Sequence, residues 1–311
     1  MTLPRAIFPD CPKDLKQFIL PRHLTLVPEL ELPIDPLLPE ARSQLLAGYQ
    51  ACMLYVLKVS DQVMAAHPAL KSIVYLSTGA ANHVDIPAAE RRGIGVRNVP
   101  RYSTRSVAEH AIGLMFAAMR QTVAMDRSIR GDRWRQLGGL ELQGRTLGVV
   151  GLGEIGRETA MIGHVLGMRV VAWNRQPRQG AWTLMELDEL LACSDIVSLH
   201  TALTPETEGL LDRRRIGLMK KGAVLVNVSR GKLVDEIAMI EALQTGHLRH
   251  AALDVFTQEP LPSKSPLVGM DNVTLTTHSA WYTAEAAQRL FDASFLALRE
   301  ELDRIAAGAS R

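Results

Sequence analysis

Between about residues 145 and 278, short apolar runs rich in Val, Ile and Leu alternate with longer stretches of helical periodicity. Continuous apolar runs bounded by turns are typical of strands that are buried on both faces of a parallel sheet. Six such runs occupy residues 146–150, 169–173, 195–199, 223–228, 251–255 and 273–276. Strands that alternate with helices in this way predict a doubly wound α/β domain.

The flanks of this region carry weaker patterns. Residues 52–57 and 72–76 predict two further strands, and residues 283–305 predict an amphipathic helix. A predicted capping box at residues 106–109 precedes an apolar helix that extends to about residue 125. This helix is rich in Ala, Met and Ile, so we expect it to be buried.

The first predicted strand runs directly into a glycine-rich turn, Gly151-Leu152-Gly153-Glu154-Ile155-Gly156, and a helical stretch follows. G-x-G-x-x-G between a strand and a helix is typical of dinucleotide binding in Rossmann folds. Gly151 would permit the tight turn, Gly153 the approach of a pyrophosphate, and Gly156 close packing of helix on strand. The amino end of the helix adds N–H groups and a positive dipole. The alternative is a glycine-rich turn without a ligand. The predicted cofactor contacts here are Gly151, Gly153, Glu154, Ile155 and Gly156.

The end of the second predicted strand bears on the choice between NAD and NADP. An acidic side chain there would bind the ribose 2′-hydroxyl, whereas an arginine would accommodate a 2′-phosphate. The sequence Trp173-Asn174-Arg175-Gln176-Pro177-Arg178 contains no carboxylate and two arginines. Arg175 and Arg178 would clamp a phosphate, with Asn174 as a hydrogen-bond donor. We therefore expect a preference for NADP, with NAD as the alternative if both arginines lie on a solvated loop.

Three side chains suited to proton transfer and anion binding follow successive predicted strands. Arg230 follows the fourth strand, Glu259 comes soon after the fifth, and His278 follows the sixth. Since open α/β sheets bind ligands at the carboxyl ends of their strands, we expect the three to converge. Arg230 would bind and polarise a 2-oxo acid, His278 would protonate the forming alkoxide, and Glu259 would hold the other imidazole nitrogen. Asp254 is better placed for the nicotinamide end of the cofactor. Singly, each side chain has an ordinary structural explanation.

These residues belong to a longer series of motifs. The segments are 99–104, 107–110, 151–156, 203–207, 227–231, 254–260 and 278–280. In order, spacing and residue type, the series resembles the D-isomer-specific 2-hydroxyacid dehydrogenases from about residue 70 to 285. The resemblance implies that Arg230, Glu259 and His278 are catalytic residues. In lacking an acidic residue at position 174, the sequence resembles the NADPH-preferring glyoxylate and hydroxypyruvate reductases. Arg101 departs from the family's usual glycine, so we expect a difference at the mouth of the cleft.

The resemblance also implies a domain organisation. Residues 1–101 and 284–311 are expected to form a smaller, flavodoxin-like α/β substrate domain, and residues 102–283 a Rossmann dinucleotide-binding domain. The chain would pass between the two domains near residues 102 and 283, and these two connections would form the hinge. The helix ending near residue 125 and the arm after it are expected to form a homodimer interface, with Trp134 as an anchor. Trp281 would wall the substrate pocket or pack at the hinge. Predicted substrate contacts are Ser77, Thr78, Gly79, Arg230 and Trp281, and further cofactor contacts are Val228 and Asp254.

Composition narrows the class of partner. Lys and Arg total 35 against 33 Asp and Glu, a net charge of +2, which is too balanced for a nucleic-acid groove. Three scattered cysteines (Cys11, Cys52 and Cys193) have neither metal-type nor disulfide-type spacing, which favours reduced thiols. No apolar stretch predicts a signal peptide or a membrane span. We expect a cytoplasmic enzyme whose partner is a small 2-oxo or 2-hydroxy acid, with no bound metal, nucleic acid or membrane.

Glyoxylate or hydroxypyruvate is the first choice of substrate. Phosphoglycerate is less expected because no regulatory segment follows the chain, and formate because that branch carries Gln in place of Glu259. A different class is a dinucleotide-sensing interaction protein, since Ala280-Trp281-Tyr282 after His278 is similar to the C-terminal-binding-protein corepressors. The sequence lacks the long basic or disordered extensions expected of such a regulator.

Overall fold

A computed structural model of the protein describes residues 4–33, 43–176 and 182–308. The backbone divides into two units, one made of Met1–Ser103 and Thr283–Arg311 and the other of Thr104–Tyr282. Both units are built on parallel sheets with helices, which confirms the predicted α/β fold class. Within the described ranges, no helix combines the length and the apolar character that crossing a membrane requires.

The sheet of the first unit has the flavodoxin-like strand order β2-β1-β3-β4-β5, as predicted. Its parallel strands are β1 (Ala6–Ile7), β2 (Leu30–Glu31), β3 (Ala51–Leu54), β4 (Ser72–Tyr75) and β5 (Gly95–Asn98). Its helices are α1 (Pro21–Leu26), α2 (Asp61–Ala66), α3 (Ile86–Arg91) and α10 (Ala284–Ala306), with 3₁₀ turns at Lys16–Phe18, Ser43–Leu46 and Ala80–Asn82. The long helix α10 confirms the predicted amphipathic helix, and it packs its buried Phe291 and Phe295 into this unit.

Strand β3 ends earlier than the sequence predicts, at Leu54 instead of residue 57. The cause is Asp10, whose buried carboxylate accepts hydrogen bonds from the next three backbone N–H groups, at 2.7 to 3.2 Å. Those N–H groups are therefore withdrawn from the sheet ladder. Strands β1 and β2 have two residues each, too short to leave a periodic pattern, so the sequence does not predict them.

The second unit has the doubly wound order β12-β11-β10-β9-β6-β7-β8. Its parallel strands are β6 (Thr146–Val150), β7 (Arg169–Trp173), β8 (Thr183–Leu184), β9 (Ile196–Leu199), β10 (Ala223–Asn227), β11 (Leu248–Leu253) and β12 (Val273–Leu275). Its helices are α4 (Thr104–Arg120), α5 (Thr122–Arg130), α6 (Glu154–Val165), α7 (Leu187–Cys193), α8 (Arg213–Leu218) and α9 (Glu236–Gln244), with 3₁₀ turns at Gly231–Leu233 and Pro266–Gly269. All six predicted strands are present, and β8 is an addition.

Two apolar clusters cover the two faces of this sheet. Helices α4 and α6 form one cluster, and α7, α8 and α9 form the other. Strand β10 contributes to both, because Val224 and Val226 belong to the first cluster whereas Ala223 and Leu225 belong to the second. A strand buried on both faces explains why the sequence shows a continuous apolar run instead of an alternating one.

The predicted capping box at residues 106–109 is wrong. Helix α4 begins two residues earlier, at Thr104, so Ser106 lies inside the helix and is buried. The apolar stretch to residue 125 also contains a break, because Gln121 takes a left-handed conformation (φ +54°) and starts the separate helix α5. Tertiary packing of the small Ser106 side chain thus overrides a local capping pattern.

Candidate active site

The glycine-rich turn leaves the carboxyl end of β6 and leads into α6. Gly151 has a φ of +103°, which favours glycine, and a Cβ there would lie 2.7 Å from the His200 backbone. A Cβ on Gly156 would lie 1.9 Å from the Gly151 carbonyl oxygen, so helix and strand meet at van der Waals contact. At Gly153, the residue before the first turn of α6, a Cβ would meet no described atom within 4 Å. This open cradle at a helix amino end fits a dinucleotide pyrophosphate.

The neighbouring predicted cofactor contacts have different surroundings. Glu154 forms an ion pair with Arg157 at 2.7 Å on the exposed side of α6. Ile155 and Val228 pack in the apolar cluster under α4 and α6. The side chains of Ile155 and Val228 therefore support the floor of the turn, and any contact from Ile155 to a pyrophosphate would come from its backbone N–H.

The end of β7 is tied to the glycine-rich turn by Asn174. Its Oδ1 accepts the Leu152 N–H at 2.9 Å, and its Nδ2 donates to the Gln176 carbonyl oxygen at 2.6 Å. Both polar ends of the amide thus serve the backbone. Arg175 is half exposed and lies 3.6 Å from Glu206, a partner that the sequence did not suggest. The other predicted arginine, Arg178, lies outside the described residues.

The structure brings His278 and Glu259 together. Nδ1 of His278 lies 2.7 Å from Oε2 of Glu259, and the other carboxylate oxygen accepts the Phe256 N–H at 2.9 Å. Because an ionised carboxylate has no hydrogen to donate, Nδ1 carries the proton of this bond. Nε2 is then the nitrogen that faces away from Glu259. His278 itself has a φ of +52°, a conformation that costs about 1–3 kcal/mol for a residue other than glycine.

The Glu259 carboxyl is ionised, as its role as hydrogen-bond acceptor from His278 requires. Burial acts to raise the pKa of its carboxyl, but hydrogen bonds from His278 and the Phe256 N–H, with the charges of His278 and Arg230, outweigh it. The pKa of Glu259 is therefore held below its usual range, and the side chain stays a carboxylate at neutral pH. The carboxylate therefore accepts the Nδ1 proton and fixes the orientation of the His278 ring.

The charge of Arg230 acts on the same carboxylate, while its guanidinium Nη1 donates to the neighbouring Ser229 carbonyl oxygen at 2.7 Å. The chain approaches itself closely at the next residue. A Cβ on Gly231 would lie 2.0 Å from the Phe256 carbonyl carbon, so only glycine lets this turn pack on the Glu259 loop. Asn227 holds the turn from inside, since its Nδ2 donates to the Arg230 carbonyl oxygen at 3.0 Å. The sequence contained Gly231, but the reason for it is visible only in three dimensions.

Asp254 supports the His278 turn. Its side chain is fully buried, Oδ1 accepts the Ser279 N–H and Oδ2 accepts the Ala280 N–H, both at 2.9 Å. Its backbone carbonyl oxygen accepts the His278 N–H at 2.8 Å. The sequence assigned Asp254 to the nicotinamide end of the cofactor, and the structure gives its carboxylate a set of partners within the chain. Every one of these bonds fixes the turn that carries His278.

The remaining predicted substrate contacts belong to the two different units. Ser77, Thr78 and Gly79 follow β4 in the first unit, where the Ser77 N–H donates to the Tyr75 carbonyl oxygen (2.8 Å) and the Gly79 N–H to Ser77 Oγ (3.3 Å). The turn thus uses two of the N–H groups that were expected to be available for an anion. In the second unit, Trp281 is partly buried and stacks on Tyr282 with ring centroids 5.0 Å apart.

Residues 112–280 match the family described as "D-isomer specific 2-hydroxyacid dehydrogenase, NAD binding domain". The chain is 42% identical over 245 residues to a glyoxylate reductase of Thermofilum pendens, covering 75% of this chain and 72% of that protein. It is 41% identical over 238 residues to a D-3-phosphoglycerate dehydrogenase of Mycobacterium leprae, covering 74% of this chain but 45% of that protein, so it spans less than half of that relative. The crystal structure of TT0316 protein from Thermus thermophilus superposes with a TM-score of 0.87 at 35% identity, covering 97% of each chain.

Proposed function

This chain belongs to the D-isomer specific 2-hydroxyacid dehydrogenase family, and we propose that His278 is the proton donor of a 2-oxo acid reductase. Members of the family are NAD(P)-dependent oxidoreductases that act on CH–OH groups. The substrate would be a small 2-oxo acid of the glyoxylate or hydroxypyruvate type, and the product a D-2-hydroxy acid. The observation that carries the proposal is the 2.7 Å contact between His278 and Glu259, beside the charge of Arg230.

His278 would deliver its proton from Nε2. Glu259 holds the proton on Nδ1, so the second proton of the imidazolium is the one that can be transferred. As the carbonyl carbon accepts a hydride, the electron pair of the C=O bond moves to oxygen, the Nε2–H bond breaks and a new O–H bond forms. The neutral ring then regains a proton from water. Bound NAD(P)H supplies the hydride.

Arg230 would bind the substrate carboxylate and polarise the carbonyl. The planar guanidinium presents parallel N–H donors that match two oxygens at once, which sets the orientation of the carbonyl carbon. The influence of its charge on the Glu259 carboxyl supports this role, because an anion bound by Arg230 would then lie near the His278–Glu259 pair. We also propose that the first unit is the substrate domain, that its Ser77–Gly79 turn contributes to binding, and that the second unit binds the dinucleotide.

The test is the oxidation of NADPH, followed by its absorbance, with glyoxylate, hydroxypyruvate, 3-phosphohydroxypyruvate and phenylpyruvate. We expect the highest kcat/KM for glyoxylate or hydroxypyruvate. Turnover confined to the phosphorylated acid would place the chain with the phosphoglycerate dehydrogenases, to which it is also similar. Tight binding of NADPH without turnover of any acid would favour a corepressor-type interaction protein.

We propose a preference for NADPH, and Arg175→Asp is expected to move it toward NADH. The ratio of kcat/KM with NADPH to that with NADH should fall about 10-fold or more, since a carboxylate repels a 2′-phosphate and accepts the ribose 2′-hydroxyl. Glu206→Gln is the matched variant and should raise the same ratio, because it removes the carboxylate that lies 3.6 Å from Arg175 and competes with a 2′-phosphate for it. An unaltered ratio in Arg175→Asp would remove the phosphate role.

We further propose a homodimer formed through the second unit. Large apolar side chains are exposed on α4, on α5 and in the segment after it, with Phe116 41%, Ile129 57% and Trp134 85% exposed. Large apolar side chains exposed on successive segments suit a surface that another chain covers. Light scattering is expected to give twice the chain mass of 34.2 kDa, and Trp134→Glu to shift the protein towards one chain. A monomeric wild-type protein would refute the proposal.

A further inference from the structure

The buried carboxylate of Asp254 has another partner besides the two backbone N–H groups of the His278 turn. Thr276 Oγ1 donates to Asp254 Oδ1 at 2.6 Å, from the residue that follows β12. Beyond Thr276 lies His110 of α4, whose Nε2 is 3.0 Å from Thr276 Oγ1 and 3.5 Å from Asp254 Oδ1. A chain of three side chains thus connects α4 to the turn that carries His278.

The direction of every hydrogen in this chain follows from the chemistry of its members. The carboxylate of Asp254 accepts only, because hydrogen bonds from His110, Thr276 and two backbone N–H groups hold its pKa below the usual range although burial acts to raise it. Thr276 has one hydroxyl hydrogen, and Asp254 receives it. Thr276 is therefore the acceptor towards His110, so Nε2 of His110 carries a hydrogen. The chain has one polarity from His110 to Asp254, and its bonds reinforce one another.

We propose that His110, acting through Thr276 and Asp254, is a positioning residue for His278. This inference rests on the proposed role of His278 as proton donor. The left-handed conformation of His278 (φ +52°) persists only while neighbouring contacts enforce it. Those contacts end on Asp254, and Thr276 and His110 both meet Asp254 at Oδ1, the oxygen that accepts the Ser279 N–H. Loss of either donor leaves Asp254 freer to rotate, and the imidazole that it positions moves from its productive place.

The chain contains a matched pair that does not reach the site. His250 of β11 and Thr274 of β12 form the same kind of contact, with Nε2 2.9 Å from Oγ1, and both side chains are buried. Thr274 lies two residues before Thr276 on the same segment. Thr274→Val therefore reproduces the loss of a histidine–threonine hydrogen bond without touching Asp254.

The experiment compares Thr276→Val and His110→Leu with Thr274→Val. We expect the first two to lower kcat for the best 2-oxo acid about 10-fold while KM for the acid stays within about 2-fold, since Arg230 is untouched. Thr274→Val should keep kcat within about 2-fold even if its Tm falls as far as theirs. Thr276→Ser retains a hydroxyl and His110→Gln retains an N–H donor, so both variants should keep most of the wild-type kcat. Equal kcat in Thr276→Val and Thr274→Val, or no recovery in Thr276→Ser, would overturn the proposal.

A second readout does not depend on turnover. In protein labelled with ¹⁵N-histidine, the ring signals of His278 can be assigned by their loss in His278→Asn. We expect these signals to shift or broaden in Thr276→Val and His110→Leu, and to match wild type in Thr274→Val. Wild-type ring signals in Thr276→Val would refute the positioning role. A wild-type protein that reduces no 2-oxo acid would refute only the proposed function, because this readout still decides whether the chain positions His278.

Discussion

His278→Ala is expected to lower kcat for the best 2-oxo acid by at least about 10²-fold, the usual contribution of a positioned general acid. The dissociation constant for NADPH should stay close to that of wild type, because the glycine-rich turn lies at a different strand end. Stopped-flow measurement of single turnovers, together with cofactor titration by fluorescence, separates the two quantities. Turnover like that of wild type would defeat the assignment of His278 as proton donor.

The left-handed backbone at residue 278 makes a second variant necessary. Alanine is strained at a φ of +52°, whereas asparagine adopts this region more readily, so His278→Asn separates lost chemistry from lost backbone geometry. We expect the same drop in kcat for both variants. His247→Ala is the control, since this histidine directly precedes β11 at the amino edge of the sheet, away from the site. Its kcat should remain within about 2-fold of wild type.

Arg230→Lys is expected to lower kcat/KM by about 10²-fold although the charge is conserved. An ammonium cannot make the two parallel bonds of a guanidinium, and one charge-assisted hydrogen bond is worth about 1.5–3 kcal/mol, or about 10- to 150-fold. The measurement is steady-state kinetics with varied 2-oxo acid. Because Lys keeps a positive charge near Glu259, the depressed pKa of that carboxyl is largely retained, and the loss reports on geometry.

Arg230→Gln completes this test by removing the charge as well. We expect a larger loss than in Arg230→Lys, together with a weaker depression of the Glu259 pKa. Arg214→Lys serves as the control, since Arg214 of α8 forms an exposed ion pair with Asp188 of α7, and such pairs contribute about 0–1 kcal/mol. An unchanged kcat/KM in Arg230→Lys would exclude bidentate binding of the substrate carboxylate.

The predicted elements succeeded where a pattern was long and buried on both faces. All six predicted strands of the second unit and the helices α6 and α10 agree with the sequence to within a few residues. Strands β1 and β2 could not be predicted, because two residues leave no periodic pattern. The end of β3 and the start of α4 could not be predicted either, because packing and hydrogen bonds from elsewhere in the chain set them. The carboxylate of Asp10, for example, ends β3 by taking N–H groups 45 to 47 residues away.

The candidate site likewise contains some features that the sequence predicts and others that only the structure shows. Convergence of Arg230, Glu259 and His278 follows from the sequence, since parallel strands place their carboxyl ends at one edge. The roles of Asn174, Asp254 and Gly231 did not follow. Asn174 ties the backbone of two loops together, Asp254 holds the His278 turn, and Gly231 permits a close approach to Phe256. Each of these functions depends on a distance between atoms, which no spacing along the chain contains.

By itself, the sequence determined the α/β class, the glycine-rich turn between β6 and α6, and the presence of an arginine, a glutamate and a histidine after successive strands. Those features are local patterns, or they follow from strand direction alone. The tertiary structure decided that Glu259 contacts Nδ1 of His278 and that Arg175 pairs with Glu206. It also brought His110 into contact with Thr276, 166 residues away along the chain. Hydrogen bonds are short and directional, so their partners exist only once the packed core has brought distant segments to within about 3 Å.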